Sequence, residues 1–337
     1  EDIISGGGDN DILIGGTAAD TVYGDDSSAS AAGNDGEDII LGDNASIDFD
    51  PGVEGRLNAF ASGVRWIQTT DTTEGTGGDD TLSGNAAIDV ILGGVGGDTI
   101  YGDAATEGSA DLADVILGDN GYVSFVEDGE EDPMTLELIR TEDTDLGGVD
   151  IISGNDGDDI IFGGTAGDTI HGNANDDLIL GDFGRMVLVD AGSEISTEET
   201  YDKVFFNSIA RLVEITDNTE GGVDTIYGDD DEDILIGGAN ADNIDGDMGD
   251  DLIFGDNVRL DRWTGYEDDT SPRFRTLDGE AIYGESGDDD GEFLNNGTDR
   301  LIPDLTGTPV WQDWDIEILD HTAAAPAGSF GDDYIAG

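Results

Sequence analysis

Cysteine is absent from this 337-residue chain, and with it the disulfides and thiol chemistry it would allow. Cationic side chains are scarce: 11 Lys plus Arg stand against 81 Asp plus Glu, for a formal charge of −70. That imbalance excludes nucleic acid as a partner, because phosphates would be repelled. It also excludes insertion at an anionic membrane surface unless a divalent cation bridges the two. No apolar run approaches the ~18–20 residues needed to span a bilayer. The two His are isolated, and no His-Glu-x-x-His, Gly-x-Ser-x-Gly or phosphate-cradling loop appears, so the sequence offers no catalytic constellation. There is neither an initiating Met nor a signal-peptide pattern, and the chain reads as a piece of a longer or processed polypeptide.

What is abundant is Gly, 54 residues of it, beside an apolar fraction of 36%. An acidic, Gly-rich composition is that of a disordered chain. Against disorder stand the many Ile, Leu and Val at regular spacing. Self-repulsion of this size opposes compaction. A folded state therefore implies cations that the sequence does not contain: disorder without them, order with them.

The spacing is nine. Asp recurs at 150, 159, 168 and 177, and an aliphatic residue follows two positions later at Ile152, Ile161, Ile170 and Ile179. Gly154, Gly163 and Gly172 lie five positions before the last three Asp. The register returns at Asp224, Asp233, Asp242 and Asp251, at Asp2, Asp11, Asp20 and Asp38, at Asp80, Asp89, Asp98 and Asp114, and once more at Asp333. All seventeen rungs place an aliphatic residue two after the Asp. Gly93-Gly94-Val95-Gly96-Gly97-Asp98-Thr99-Ile100-Tyr101 shows the full motif; Gly154-Asn155-Asp156-Gly157-Asp158-Asp159 shows the commoner variant with Asn or Asp second.

These residues resemble the RTX, or hemolysin-type, calcium-binding repeat, G-G-x-G-x-D-x-U-x with U aliphatic, over about half the chain. The resemblance implies type I secretion and folding outside the cell, where calcium is millimolar.

The residues alone support the same chemistry. Six Gly-rich residues form a turn, and three around an aliphatic residue form a short strand. Two nonapeptides then make an eighteen-residue coil whose aliphatic side chains stack inward. Gly, Asn or Asp at the second and fourth turn positions permits φ > 0. Such a turn aims carbonyls at one point, the Asp adds a carboxylate, and turns stacked on one edge enclose an ion. Calcium accepts six to eight oxygens at ~2.3–2.6 Å in flexible geometry. Magnesium demands a tighter octahedron, and zinc would want His or Cys. The expected ligands are Asp11, Asp20, Asp38, Asp89, Asp98, Asp114, Asp159, Asp168, Asp177, Asp233, Asp242 and Asp251. With them are counted Asp43, Asp119, Asp182 and Asp256, from the Gly-Asp pair that closes every fourth rung. A lone Asp-Gly would be a turn residue capping its own backbone; a nine-residue comb of them is a cation array.

The expected fold is all-β: a parallel β-roll solenoid of short strands and Gly/Asp turns, interrupted every four rungs by inserted β-hairpins. Rungs occupy 1–44, 76–120, 146–183 and 221–257, and another rung starts at 330–337. Hairpin inserts occupy 45–75, 121–145 and 184–220, each opening and closing on strand-like segments such as Met186–Val189 and Arg211–Ile215. A long insert covers 258–329, with a return strand expected at Asp315–Leu319. Asn296-Gly297-Thr298 matches a glycosylation sequon. Trp311 and Trp314 read as insert core before they read as a sugar platform, and His171 reads as solvated.

The outward positions flanking each inward aliphatic differ between rungs. In first and third rungs they are mostly polar, as in Thr99 and Tyr101. In second and fourth rungs they are all apolar, as in Val90 and Leu92 or Leu178 and Leu180. One sheet is therefore apolar on both faces and must be covered. The hairpins are one candidate cover and a second copy of the chain is the other.

The leading functional expectation is an extracellular calcium-dependent structural protein, a rod or filament of a surface fibre, matrix, surface layer or adhesin stalk. Its partners would be itself, by self-association or as part of a longer tandem array, and a cell-surface or carbohydrate target. The alternative is the C-terminal secretion and folding module of an exported hydrolase or toxin. Ice binding through the outward Thr column ranks last, since Tyr, Ser, His and Asp interrupt it.

Overall fold

A β-branched or aliphatic residue between two strand formers, fenced by Gly-rich turns, can make only a very short strand, and the chain does this rung after rung. The computed structural model describes residues 1–25, 36–49, 64–73, 75–103, 113–125, 136–190, 208–217, 219–262, 314–319 and 331–337. Among them there is no helix. Odd rungs build a nine-stranded sheet, here the polar sheet: Ile3–Ser5, Thr21–Tyr23, Thr81–Asn85, Thr99–Asp103, Ile151–Asp156, Thr169–Ala174, Thr225–Asp229, Asn243–Asp245 and Tyr334–Ala336, in that order. Even rungs build an eight-stranded sheet, the apolar sheet: Ile12–Ile14, Ile39–Leu41, Val90–Leu92, Val115–Leu117, Ile160–Phe162, Leu178–Leu180, Ile234–Gly238 and Leu252–Asp256. Every pairing in both is parallel and in register, Ile152 opposite Ile170 and Ile161 opposite Ile179. This is the parallel β-roll that the repeat predicts.

The inward aliphatics of the two sheets meet in a single column, in which Ile40, Ile91, Ile116, Ile152, Ile170 and Ile226 are fully buried. The turns alternate in handedness as expected: φ is positive at the second and fourth positions, as at Asn155 (81°) and Gly157 (130°). Ala18, Ala87 and Ala166 also adopt it at the fourth position, with φ of 72°, 85° and 71°. The expectation of Gly, Asn or Asp there did not include Ala.

The inserts form a third sheet. Ala45–Phe49 pairs with Val64–Thr69, Gly121–Ser124 with Leu138–Thr141, Gly184–Asp190 with Ser208–Ile215, and Val258–Arg262 with Trp314–Ile318, all antiparallel. Neighbouring hairpins also pair edge to edge, Val123 opposite Ile67, Ile139 opposite Met186 and Val213 opposite Leu260. The four hairpins are therefore one eight-stranded antiparallel sheet lying on the apolar sheet. Their shared core holds Leu92, Leu117, Phe162, Leu180 and Ile236 from the roll, and Ile67, Phe125, Met186, Val213, Leu260 and Trp314 from the cover. Of the two candidate covers, the hairpins occupy the apolar sheet. Trp314 is 2% exposed and belongs to this core, as the packing reading held. Trp311, His321 and the Asn296 sequon lie outside the described residues.

Candidate metal centres

The chain turns at two edges. At the first it passes from the apolar to the polar sheet, and at the second it passes back. Along each edge the sixth-position Asp residues stack as a ladder. Oδ1 of each accepts the backbone N–H of the equivalent Asp one coil earlier, at 2.6–3.1 Å. On the first edge the ladder runs Asp2, Asp20, Asp80, Asp98, Asp150, Asp168, Asp224, Asp242, Asp333. On the second it runs Asp11, Asp38, Asp89, Asp114, Asp159, Asp177, Asp233, Asp251. The structure thus brings the twelve repeat aspartates of the expected ligand set onto two lines, and adds Asp2, Asp80, Asp150, Asp224 and Asp333 to them.

The second carboxylate oxygen is the chemically open one. Oδ2 is buried without a hydrogen-bond donor in Asp38, Asp89, Asp98, Asp114, Asp159, Asp168, Asp177, Asp233 and others of both ladders. Each faces a small cradle that only glycine leaves open. A β-carbon on Gly237 would stand 2.5 Å from Asp242 Oδ2 and 2.5 Å from the carbonyl oxygen of Gly255 in the next coil. One on Gly228 would collide with Asp233 Oδ2 and lie 3.0 Å from the carbonyl of Gly246. Carboxylate and carbonyl oxygens from adjacent coils therefore look into one space. A buried acceptor without a donor is costly, and a row of them suits a hard cation with oxygen ligands. Among the described residues no three acidic, His or Cys side chains cluster closely enough to hold an ion by themselves. Most of a coordination shell here must be backbone carbonyl.

A family model for the RTX calcium-binding nonapeptide repeat matches residues 1–28, 74–105, 153–185 and 218–257. The chain carries RTX calcium-binding nonapeptide repeats. No curated protein matches it. RTX repeats bind Ca2+ at multiple sites, and the open oxygens above are what such an ion requires.

Electrostatics around the RTX ladders point the same way. Burial pushes the carboxyl of Asp38 up to about 8, against which the Asp11 backbone N–H works. Burial, then the neighbouring Asp150 carboxylate, takes Asp98 to about 9. Asp233 and Asp242 are raised by burial to about 8. Asp114 and Asp177 are raised far above the carboxylate range by burial and then by their ladder neighbours, Asp159 first in both. Among the described residues no side-chain cation offsets this. Every described Arg, namely Arg65, Arg140, Arg185, Arg211, Arg259 and Arg262, sits on the cover sheet. Without bound ions the roll is a stack of buried like charges.

Asp43, Asp119, Asp182 and Asp256 lie apart from the ladders. They occupy the second position of the first-edge turns from which the inserts leave. Each accepts at least one backbone amide, while Asp43 Oδ1 is buried without a donor. Asp43 accepts from Val95 N at 2.7 Å. Asp119 accepts from Gly148 N at 3.0 Å and from Thr165 N. Asp182 accepts from Gly222 N at 2.7 Å and from Ala239 N. Asp256 accepts from Gly331 N at 3.1 Å. The sequence groups them with the ladder because Gly-Asp looks alike in both places. The signal that separates them is the length of chain before the next ladder Asp. His171 is likewise more tied than a solvated side chain: its ring stacks on Tyr227 at 4.5 Å and Nδ1 lies 3.0 Å from Asp229 Oδ2.

Proposed function

We propose that this chain is a calcium-dependent structural rod of the cell exterior, serving in a surface fibre, surface layer, matrix or adhesin stalk. The observation that carries the reading is the continuity of three sheets. Nine polar-sheet strands, at about 4.8 Å each, make a bar roughly 40 Å long through the described rungs, covered along the apolar side by eight strands drawn from all four inserts. A parallel sheet of this kind can be extended by another rung, supplied by the same polypeptide or by a second copy in a heterologous contact. RTX repeat proteins are typically secreted by the type I route, and extracellular calcium modules work at dissociation constants of about 10⁻⁴–10⁻³ M.

That secretion route also favours a second reading, a folding module of an exported hydrolase or toxin. Electron microscopy and sedimentation in millimolar calcium separate the two. The rod reading expects fibres or end-to-end oligomers that disperse with chelator. Isolated compact particles at every concentration would overturn it.

A further inference from the structure

The two edges of the roll are not equivalent, and the difference decides where ions bind. On the first edge, turns alternate. Those at 15–20, 93–98, 163–168 and 237–242 have positive φ at their second and fourth positions: Gly16 and Ala18, Gly94 and Gly96, Gly164 and Ala166, Gly238 and Asn240. Between them come the turns opened by Asp43, Asp119, Asp182 and Asp256; none of these four second-position aspartates has positive φ, and in the returning chain of the third Gly221 does (143°). Each carboxylate there binds the amide of its own returning chain, of the third residue in the next regular turn, or of both. Gly164 and Gly238 let it come close: a β-carbon would stand 2.6 Å from Asp119 Oδ2 at the first and 2.5 Å from Asp182 Oδ2 at the second. Amides converging on one point form an anion nest. The same peptides cannot also aim their carbonyls at that point.

On the second edge four uninterrupted turns stack without a break: 154–159, 172–177, 228–233 and 246–251. All have positive φ at their second and fourth positions, 81°, 83°, 77° and 60° at Asn155, Asn173, Asp229 and Asp247, and 130°, 81°, 75° and 158° at Gly157, Asn175, Asp231 and Gly249. Their ladder oxygens are open: Asp159, Asp177 and Asp233 are 0%, 2% and 0% exposed, and Oδ2 of each has no donor. Earlier on this edge the chain is interrupted within 24–38 and 102–114. There Asp103 repeats the device of Asp119, taking Asp156 N at 3.0 Å.

We propose that the tight calcium file of this chain is confined to these four second-edge turns, with one ion in each of the three gaps between them, and that Asp119 and Asp182 are carboxylate staples that close the turns the inserts leave. The proposal rests on the calcium reading of the RTX repeat and refines it. An ion between turns draws its six to eight oxygens from both. Where one of the two presents amides, what remains is a half-site, and it holds calcium weakly even though Asp98 and Asp168 keep an open oxygen there.

Asp168 and Asp177 make the matched test, since both are ladder residues whose Oδ1 accepts the backbone N–H of the Asp one coil earlier, at 2.9 and 2.8 Å. Native mass spectrometry and calorimetric titration with calcium chloride would count tight ions in the wild type, D168N, D177N and D182N, with circular dichroism at saturating calcium reporting folding. The expected result is three in the wild type, D168N and D182N, and at least one fewer in D177N, while D182N melts lower than the wild type. Loss of a tight ion in D168N or D182N would overturn the proposal and leave calcium binding intact. Should a variant not fold, the wild-type count decides: three supports the proposal, and any other number refutes it. Wild type that binds no calcium would remove the calcium reading itself, an outcome distinct from binding at the wrong number.

Discussion

A ladder aspartate does two jobs with one carboxylate: Oδ1 takes a neighbour's amide, and Oδ2 waits for a cation. Only the second job is written in the nine-residue spacing. The first depends on the next coil lying directly above, which no single rung reveals. The buried carboxyls also make a pH prediction. Their ordinary value is about 3.9, and in the folded, ion-free roll Asp38, Asp98, Asp233 and Asp242 sit near 8 to 9. The folded form then binds more protons than the unfolded one. Its ion-free stability is fully present below about pH 4 and is lost as pH climbs through the folded values. With chelator, the β signal in circular dichroism should therefore be larger at pH 4 than at pH 8. Protons and calcium compete for the same oxygens, so the calcium midpoint should fall between pH 6 and pH 8; equal midpoints would refute the ladder as the binding locus. The alanines at positive φ carry a separate expectation. Ala166, at φ 71°, holds a conformation costing an L-residue about 1–2 kcal/mol, partly offset by the extra freedom glycine has when unfolded. Ala166→Gly should stabilise by roughly 0.5–1 kcal/mol in urea titrations at fixed calcium.

Strands were legible to different degrees. The rungs announce themselves because Asp and the following aliphatic residue repeat together, and Ile160–Phe162 or Leu178–Leu180 stand where the spacing puts them. Hairpin strands were legible from apolar alternation, as in Ser208–Ile215. Their union into one sheet was not, because the pairing of Ile139 with Met186 or Val213 with Leu260 joins different inserts across a full set of rungs. Side chains on the cover's outer face knit those junctions. Tyr122 stacks with Trp66 at 6.1 Å and lies under the Arg140 guanidinium at 4.6 Å. Glu214 is bracketed by Arg185 at 2.8 Å and Arg259 at 3.3 Å. The layer beneath gives the sharpest element-scale prediction. Leu180 and Ile236 are fully buried between roll and cover. Leu180→Asp or Ile236→Asp should cost about 3–5 kcal/mol, as an uncompensated buried charge does. Thr81→Asp, on the exposed face of the polar sheet, should stay within about 0.5 kcal/mol. Equal effects at the three sites in chemical denaturation would contradict the layered packing.

At the scale of the whole molecule, a charge of −70 with all described arginines confined to one sheet leaves the roll to be held by ions. Calcium that binds only the folded form stabilises it by mass action and cancels self-repulsion. In excess chelator at neutral pH, circular dichroism should show a disordered chain, with β structure returning on addition of millimolar calcium. A β-rich spectrum that survives chelation would refute ion-driven folding. The stacking of roll and cover has a further consequence. Each insert adds two antiparallel strands for every two coils of roll, and both kinds of sheet step by about 4.8 Å per strand. Eight strands therefore lie over eight without accumulating any offset. Cover and roll are commensurate, so the molecule behaves as a ruler graduated in units of one insert plus four rungs. Excising one such unit should shorten the particle by about 10 Å and leave the graduations on either side unchanged.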